Sequence, residues 1–216
     1  SDPYIQSVTL QTQMESAMRQ RPDVVILGEI RSREAYSFFQ AVSTGHGGLT
    51  TIHAESIESL IRRLTAPPMS VPKSLIATSK LFVNVLRLAG VKGVMRKVTY
   101  VYEVESYDPI EDRLTVKTLV QWDRYRDTWL IDIDHSRVLR DVADLLLLRY
   151  EDVVADLYRR TTILLYAARN NLDIISLHAL SRRYRRDPEE TYREILKRGG
   201  GEPTIERLKD IERRVI

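Results

Sequence analysis

The chain has 216 residues, of which 43% are hydrophobic and 29% charged, and its net charge is only +3. This composition is typical of a soluble globular protein and excludes a disordered chain; it favours solvated, ion-paired faces over a nucleic-acid surface. There is no cysteine, which excludes disulfides and thiolate chemistry and fits a cytosolic protein.

The first part of the chain alternates between helix and strand patterns. Apolar residues at helical spacing predict a helix over residues 9–19, which ends before Pro22. The aliphatic run Val24–Leu27 predicts a parallel strand covered on both faces. Further patterns predict a helix over 32–44, a strand over 49–52, a helix over 56–64 and a third core strand within 81–88. The alternation predicts an α/β fold with a mostly parallel sheet.

The pattern changes after Gly90. Residues 96–107 and 114–122 alternate in polarity around the turn cluster 108–112, which predicts an antiparallel hairpin with a possible third strand at 129–133. From Ser136 onward, apolar spacings of three and four predict helices, one of them beginning at the capping residue Asp187, and a glycine run at 199–201 separates a last short helix.

These patterns predict three regions. Residues 1–90 form the α/β core, 91–135 a β-hairpin appendage, and 136–216 a helical subdomain at the carboxyl end.

Glu29 follows the strand Val24–Leu27 almost directly. Ligands of parallel sheets bind outside the carboxyl ends of the strands, so Glu29 is expected to point toward a nucleotide phosphate. Gly28 removes side-chain bulk beside it. A carboxylate there can orient the water that attacks a γ-phosphate, or help to hold Mg²⁺. Because an aliphatic strand followed by Gly-Glu is common, this pattern alone leaves a purely structural role equally open.

Two longer motifs extend this pattern. The stretch RQRPDVVILGEIRSRE at 19–34 resembles the Walker B region of the secretion ATPase superfamily, and TGHGGLTTIHA at 44–54 resembles its histidine box. This superfamily comprises RecA-like hexameric motors of type II and type IV secretion, type IV pili and archaeal flagella. The stretch at 62–75, the hairpin and the helical tail resemble its archaeal branch in particular, so the resemblance covers essentially the whole chain.

The resemblance implies roles for individual residues. Glu29 corresponds to the catalytic Walker B glutamate, and His53 is expected to act with it. Residues expected to sense the nucleotide or its phosphates are Gly28, Arg31, His46, Thr50 and Thr51. Arg33 and Glu34 are expected to give structural support, with Glu34 pairing with Arg31 one turn along.

The phosphate-binding pattern G-x-x-x-x-G-K-[ST] occurs nowhere in the 216 residues. The chain is therefore expected to be the carboxy-terminal part of such an ATPase, whose complete form uses ATP with Mg²⁺ near Glu29. Without the backbone N–H groups and lysine of that loop, we expect neither nucleotide binding nor ATP turnover by this chain alone. With part of the sheet missing, Val24–Leu27 is expected at an unprotected edge that self-associates or is covered by a neighbouring chain.

The resemblance implies a function in coupling ATP hydrolysis to protein export or filament assembly. The partners it implies are further copies in a hexameric ring and a polytopic membrane platform protein, at the cytoplasmic face of the membrane and without nucleic acid. The alternative is a non-catalytic interaction module of the same fold that binds a partner through its helical tail.

Three other groups are candidate sites. His46 and His53 are seven residues apart, with only two further histidines in the chain, which disfavours zinc. The sequence DIDH at 132–135 fits a strand end better than a metal cluster. The sequence RRYRR at 182–186 favours a solvated helix face and leaves open contact with a partner protein or anionic lipid headgroups.

Overall fold

The computed structural model describes residues 8–90 and 93–199, together with the backbone of 206–207 and 213–215. The described residues divide into two compact units, one within 1–128 and 208–216 and the other within 129–207. No helix in the described ranges is both long enough and apolar enough to cross a membrane.

The first unit contains most of the predicted α/β and hairpin elements. Its helices and strands are α1 Leu10–Arg19, β1 Val24–Leu27, α2 Glu34–Ser43, β2 Gly47–Thr50, α3 Ile57–Thr65, α4 Lys73–Ile76, β3 Leu81–Gly90, β4 Gly93–Asp108, β5 Arg113–Asp123 and, near the carboxyl end of the chain, β8 Arg213–Val215. The mixed α/β content predicted from the sequence is therefore present.

The parallel sheet of the first unit consists of β1 and β2 among the residues that are described. The register pairs Val25 with Gly48 and Ile26 with Leu49. The prediction that residues 81–88 form a third strand of this sheet is wrong. These residues lie in β3, which pairs antiparallel with β4. β3 ends at Gly90 and β4 begins at Gly93, and strands this close in sequence can pair antiparallel, whereas a parallel pairing needs a long crossover.

The burial of β1 also differs from the prediction. Val25 is buried, but Val24 and Ile26 are 53% and 74% exposed. The expectation of a strand covered on both faces is therefore wrong for this chain. The inner face of β1 contributes to the core, and the outer face of the two-stranded sheet, including Leu49, is open.

The hairpin predicted around residues 108–112 is confirmed. Strands β4 and β5 pair antiparallel up to Asp108 and Arg113. The Asp108 carboxylate accepts the backbone N–H of Ile110 at 2.9 Å, which stabilises the turn. Strand β8 adds to β5 through residues 115–117.

Helix α2 packs closely against β2 at Gly48. A Cβ atom at this position would lie 2.5 Å from Val42 Cγ2 and 2.8 Å from Phe38 Cζ, so the close approach requires glycine. Phe38 and Phe39 are buried and continue into the main core of the unit, which also includes residues of α3, β4 and β5.

The second unit is mostly helical, and its helices begin at Arg137, one residue after the point from which helices were predicted. Its elements are β6 Thr128–Ile131, within which the unit begins, α5 Arg137–Leu146, α6 Tyr150–Arg169, α7 Ile174–Arg186, α8 Pro188–Lys197 and β7 Glu206–Arg207. Helix α8 begins as predicted, with Asp187 accepting the backbone N–H of Glu190 at 3.0 Å and proline at the first position. Ion pairs join α6 and α7 to α8, among them Arg159 with Glu189 at 2.7 Å and Arg183 with Glu194.

Most of the last short helix predicted after residue 201 lies outside the described residues. The two pieces that are described there, 206–207 and 213–215, are strand. The prediction of a helix is therefore wrong for these two pieces.

Candidate functional site

The carboxyl ends of β1 and β2 lie side by side. Their last paired residues are Leu27 and Thr50. Beyond that pair, the Ile30 N–H donates to the Thr51 carbonyl at 3.0 Å, and the Thr51 hydroxyl donates to the Gly28 carbonyl at 2.7 Å. These two bonds hold the segment around Glu29 against the segment that leads to His53.

Glu29 and His53 meet at this edge of the sheet. Glu29 Oε1 lies 3.5 Å from His53 Nε2, and Glu29 Oε2 lies 2.5 Å from Arg31 Nη2. At 3.5 Å the contact with His53 is too long for a well-formed hydrogen bond. Among the described groups Oε1 is buried without any hydrogen-bond partner, although the His53 side chain is 82% exposed. A buried carboxylate oxygen in this state is an unsatisfied hydrogen-bond acceptor.

The charges around Glu29 keep it ionised. The hydrogen bond from Arg31 lowers the pKa of Glu29, and the charges of Arg31, His53 and Arg63 lower it further, whereas partial desolvation acts in the opposite direction. The hydrogen bond with Glu29 in turn raises the pKa of Arg31. Glu29 can therefore act as a hydrogen-bond acceptor near neutral pH.

Glu34 has a different role from Glu29. Its Oε1 accepts the backbone N–H of Arg31 at 2.6 Å and of Ser32 at 2.8 Å. Glu34 is only 6% exposed. Burial acts to raise the pKa of Glu34, but these backbone hydrogen bonds lower it by more. The predicted side-chain pair between Arg31 and Glu34 does not form, because the Arg31 guanidinium contacts Glu29 instead.

Gly28 and Arg33 are the first and last residues of the loop between β1 and α2. A Cβ atom at Gly28 would have nothing within 4 Å, so the space beside Glu29 is open. The Arg33 carbonyl accepts the backbone N–H of Tyr36 at 3.1 Å at the start of α2, and the Arg33 side chain is exposed.

His46 is placed apart from Glu29 and His53. It lies just before β2, whose four residues span about 13 Å of strand, and so at the opposite end of the parallel sheet. Its Nδ1 lies 3.1 Å from the Ala41 carbonyl and 3.3 Å from the Thr44 hydroxyl. These contacts lie just past the end of α2 at Ser43, where Gly45 has a φ of +98°. The structure gives His46 contacts at this helix end and does not bring it to the carboxylate.

Arg63 is a residue that the sequence reasoning missed. Its Nη1 donates to the His53 carbonyl at 2.8 Å, and its charge acts on Glu29. Arg63 lies in the last turn of α3, and the only available signal was two consecutive arginines, Arg62 and Arg63, on the helix after the histidine box.

A cleft of about 560 Å³ opens beside this edge. Residues of β2, β3, α2, α3 and the segment after β2 line it, and this lining includes Leu49, Thr50, Thr51, His53, Leu60 and Val83. The Thr50 hydroxyl is buried and has no hydrogen-bond partner within the described part of the chain. As far as the structure describes the sheets, β2 pairs only with β1 and β3 only with β4, so both strands have an unpaired edge.

Groups of three or more His, Asp or Glu side chains that could hold a metal ion are not found in the described ranges.

Residues 4–104 match the protein family described as Type II/IV secretion system protein. The uncharacterized protein MJ1287 of Methanocaldococcus jannaschii is 34% identical over 157 residues, covering 73% of this chain and 58% of that protein. The conjugal transfer protein TrbB of Rhizobium radiobacter is 35% identical over 100 residues, or 44% of this chain and 30% of TrbB. The type IV secretion system protein PtlH of Bordetella pertussis is 40% identical over 60 residues, or 27% of this chain and 18% of PtlH. The aligned part is less than two-thirds of each relative's length.

Proposed function

We propose that this chain, which belongs to the secretion ATPase superfamily, carries the catalytic carboxylate of an ATPase that drives protein export or filament assembly. The observation that supports this most directly is the position of Glu29 Oε1, 3.5 Å from His53 Nε2 beyond two paired parallel strands. The match to the secretion family and the relatives named for conjugal transfer and type IV secretion support the general role.

Glu29 is the group that would orient the attacking water. Its pKa is lowered, so it is ionised, and its Oε1 accepts no hydrogen bond from the described residues. His53 lines the cleft beside β2 and can donate a hydrogen bond toward a terminal phosphate. Arg31 neutralises Glu29 through Oε2, and its side chain is 70% exposed. When bound with ATP, Mg²⁺ would supply charge neutralisation near Glu29.

The unpaired edge of β2 beside the cleft suggests how the site is completed. A further strand parallel to β2 would satisfy that edge. The carboxyl end of such a strand would lie beside Glu29 and His53. A glycine-rich turn there would point backbone N–H groups at the phosphates, which is the part of an ATP site that this sequence lacks. We therefore assign the first unit as part of a RecA-like core.

The open outer face of the sheet supports the same assignment. Ile26 is 74% exposed and Leu49 is 62% exposed. Exposed aliphatic residues on neighbouring strands mark a surface that another element covers. In the complete protein we assign this surface to the rest of the core, with a hexameric ring of further copies and a membrane platform protein at the cytoplasmic face as partners.

The test is ATP turnover by two polypeptides: the 216-residue chain, and a version extended through the segment that supplies the phosphate-binding loop. We expect no turnover from the chain alone and Mg²⁺-dependent turnover from the extended version. Glu29→Gln in the extended version is expected to lower kcat by a factor of about 10² to 10⁴, because a positioned acid or base contributes that much.

Glu55→Gln is the matched control, since Glu55 is an exposed acid two residues beyond His53. It should leave kcat unchanged. Equal kcat for Glu29→Gln and the unmodified extended protein, or Glu29-dependent turnover from the chain alone, would overturn the proposal.

A further inference from the structure

The middle of the chain contains a long segment with positive charges and no negative ones. Lys or Arg occurs eight times in residues 59–102, and Asp or Glu does not occur there, although the net charge of the whole chain is only +3. The segment contains all of β3 and the first part of β4. A charge imbalance of this size attracts anions.

Two arginines of this segment lie directly opposite each other. Arg87 of β3 and Arg96 of β4 are register partners in the antiparallel pair, and both are exposed. Opposite residues of such a pair have their side chains on the same face, with Cβ atoms about 5 Å apart, and like charges there are destabilising. Neither arginine forms an ion pair with any residue in the described part of the chain. We call these two residues the arginine pair.

Cations elsewhere in this sheet have acidic partners. Lys97, the neighbour of Arg96 in β4, points to the other face, where its Nζ lies 2.6 Å from Asp127 Oδ1. At the turn between β4 and β5, Arg113 Nη1 lies 2.7 Å from Glu111 Oε2. The sheet therefore does neutralise its cations, and the arginine pair is an exception that the described residues do not compensate.

The strands that carry the arginine pair form a narrow, open ribbon. Strand β4 pairs with β5 from Tyr100 onward, so residues 93–98 have β3 as their one partner among the described strands. A two-stranded ribbon has little stability of its own. The neighbours of the arginine pair on the same face, Val85 and Val94, are 56% and 50% exposed. An anion held between the two guanidinium groups would replace their repulsion with attraction.

We propose that the arginine pair binds a phosphate group of a small soluble ligand. Near neutral pH a phosphate carries about 1.5 to 2 negative charges and three acceptor oxygens, so a single phosphate can neutralise both arginines and accept hydrogen bonds from each. A carboxylate has one charge and two oxygens, which suit a single guanidinium group.

The arginine pair lies close to the cleft beside β2. Val85 lines this cleft, and Arg87 follows it on the same face, about 7 Å further along β3. The ligand is therefore inorganic phosphate or the phosphate of a small molecule in the cleft. The site uses neither Glu29 nor His53, nor the phosphate-binding loop that the sequence lacks, so the proposal is independent of the proposed function.

The experiment is an NMR titration of the 216-residue chain with inorganic phosphate at pH 7.5, with chloride at the same ionic strength as the reference. We expect the Nε–H signals of Arg87 and Arg96 to shift together and to saturate. R87Q and R96Q should each weaken binding about tenfold or more, because each removes charge-assisted hydrogen bonds. R124Q is the matched control, since Arg124 is also exposed and without an ion pair among the described residues. It should bind as the original chain does.

The substitution R96E tests the repulsion itself. It replaces two like charges by an opposite-charge pair, so it should raise the melting temperature by about 1–4 °C and abolish phosphate binding. Phosphate should raise the melting temperature of the original chain and leave that of R96E unchanged. This comparison remains informative even if R87Q or R96Q fails to fold.

Acetate and ADP identify the ligand. Acetate should give no saturable shift, because a carboxylate does not neutralise both arginines. ADP that binds more tightly than inorganic phosphate assigns the ligand as a nucleotide, and ADP that binds no more tightly assigns it as inorganic phosphate. The proposal is overturned if phosphate shifts the two arginine signals no more than chloride does, or if acetate binds as tightly as phosphate. It is also overturned if R124Q loses as much binding as R87Q, or if R96E melts no higher than the original chain.

Discussion

Two pairs of strands in the first unit differ in how completely they are built. In the hairpin of β4 and β5, Tyr102, Val104, Leu114 and Val116 are all at most 4% exposed. In the parallel pair, Ile26 and Leu49, opposite each other in the register, are 74% and 62% exposed. A hairpin obtains its partner from the adjacent sequence, whereas a parallel strand needs partners from distant segments. The chain therefore has a well-packed antiparallel hairpin and a parallel pair with an open face, and the candidate site lies on the parallel pair.

Truncating one aliphatic side chain in each pair gives the largest expected difference. Leu114→Ala removes a fully buried side chain of β5 and should lower the free energy of unfolding by about 2–5 kcal/mol. Ile26→Ala in β1 should change it by less than about 0.5 kcal/mol, because that side chain is already in solvent. Urea unfolding of both variants measures this. Equal losses would show that β1 is as fully packed as the hairpin.

Gly48 tests the one face of the parallel pair that is tightly packed. Gly48→Ala should destabilise the chain by about 1–3 kcal/mol, because the new methyl group would overlap Val42 and Phe38. Gly28→Ala is the control, since the same methyl group meets nothing within 4 Å. Thermal unfolding compares the two, and an unchanged melting temperature for Gly48→Ala would mean that α2 does not pack on β2 as described.

Glu34 tests how the loop after β1 is held. Glu34→Ala removes the acceptor of two backbone N–H groups and should lower stability by about 1–2 kcal/mol. Glu34→Gln keeps an acceptor oxygen and should lose less. If both variants were as stable as the original chain by urea unfolding, Glu34 would not hold this loop.

The pair of Glu29 and Arg31 should give the smallest effect, visible as a dependence on pH. The pKa of Glu29 is lowered in the folded state, so its contribution to stability is complete above its unfolded pKa near 4.5 and is lost as pH falls through the lower folded value. Arg31→Gln should raise the pKa of Glu29, as followed by carboxyl carbon NMR. Arg33→Gln, an exposed arginine in the same loop, should not. If the pKa of Glu29 were the same in Arg31→Gln as in the original chain, Arg31 would not be the cause of its lowering.

The sequence predicts local elements of this fold better than their pairing. Strand β1 matches its prediction residue for residue, because four consecutive aliphatics leave little choice. Strand β2 begins at Gly47, two residues before the predicted start. Consecutive glycines are typical of turns, and only the close packing of α2 explains Gly48 within the strand. The strand over 81–88 was expected in the wrong sheet because an apolar run does not identify its neighbour.

In the candidate site, the sequence likewise predicts the positions of residues better than the contacts of their side chains. The placement of Glu29 and His53 beyond neighbouring strand ends follows from parallel pairing, a property of the backbone. The contacts of Arg31 with Glu29 and of Arg63 with the His53 carbonyl depend on side-chain conformation, which spacing does not determine. His46 shows the limit of motif reasoning, because the two histidines of one motif lie at opposite ends of β2.

The central claim is that Glu29 and His53 act together on one reacting group. A double-mutant cycle on kcat of the extended, ATP-hydrolysing protein tests it with Glu29→Gln, His53→Ala and the combined variant. Residues that act as a unit are strongly non-additive, so the account predicts that the combined variant is no slower than Glu29→Gln alone, within about threefold. Losses that multiply in the combined variant would show that the two side chains act independently and would contradict the account.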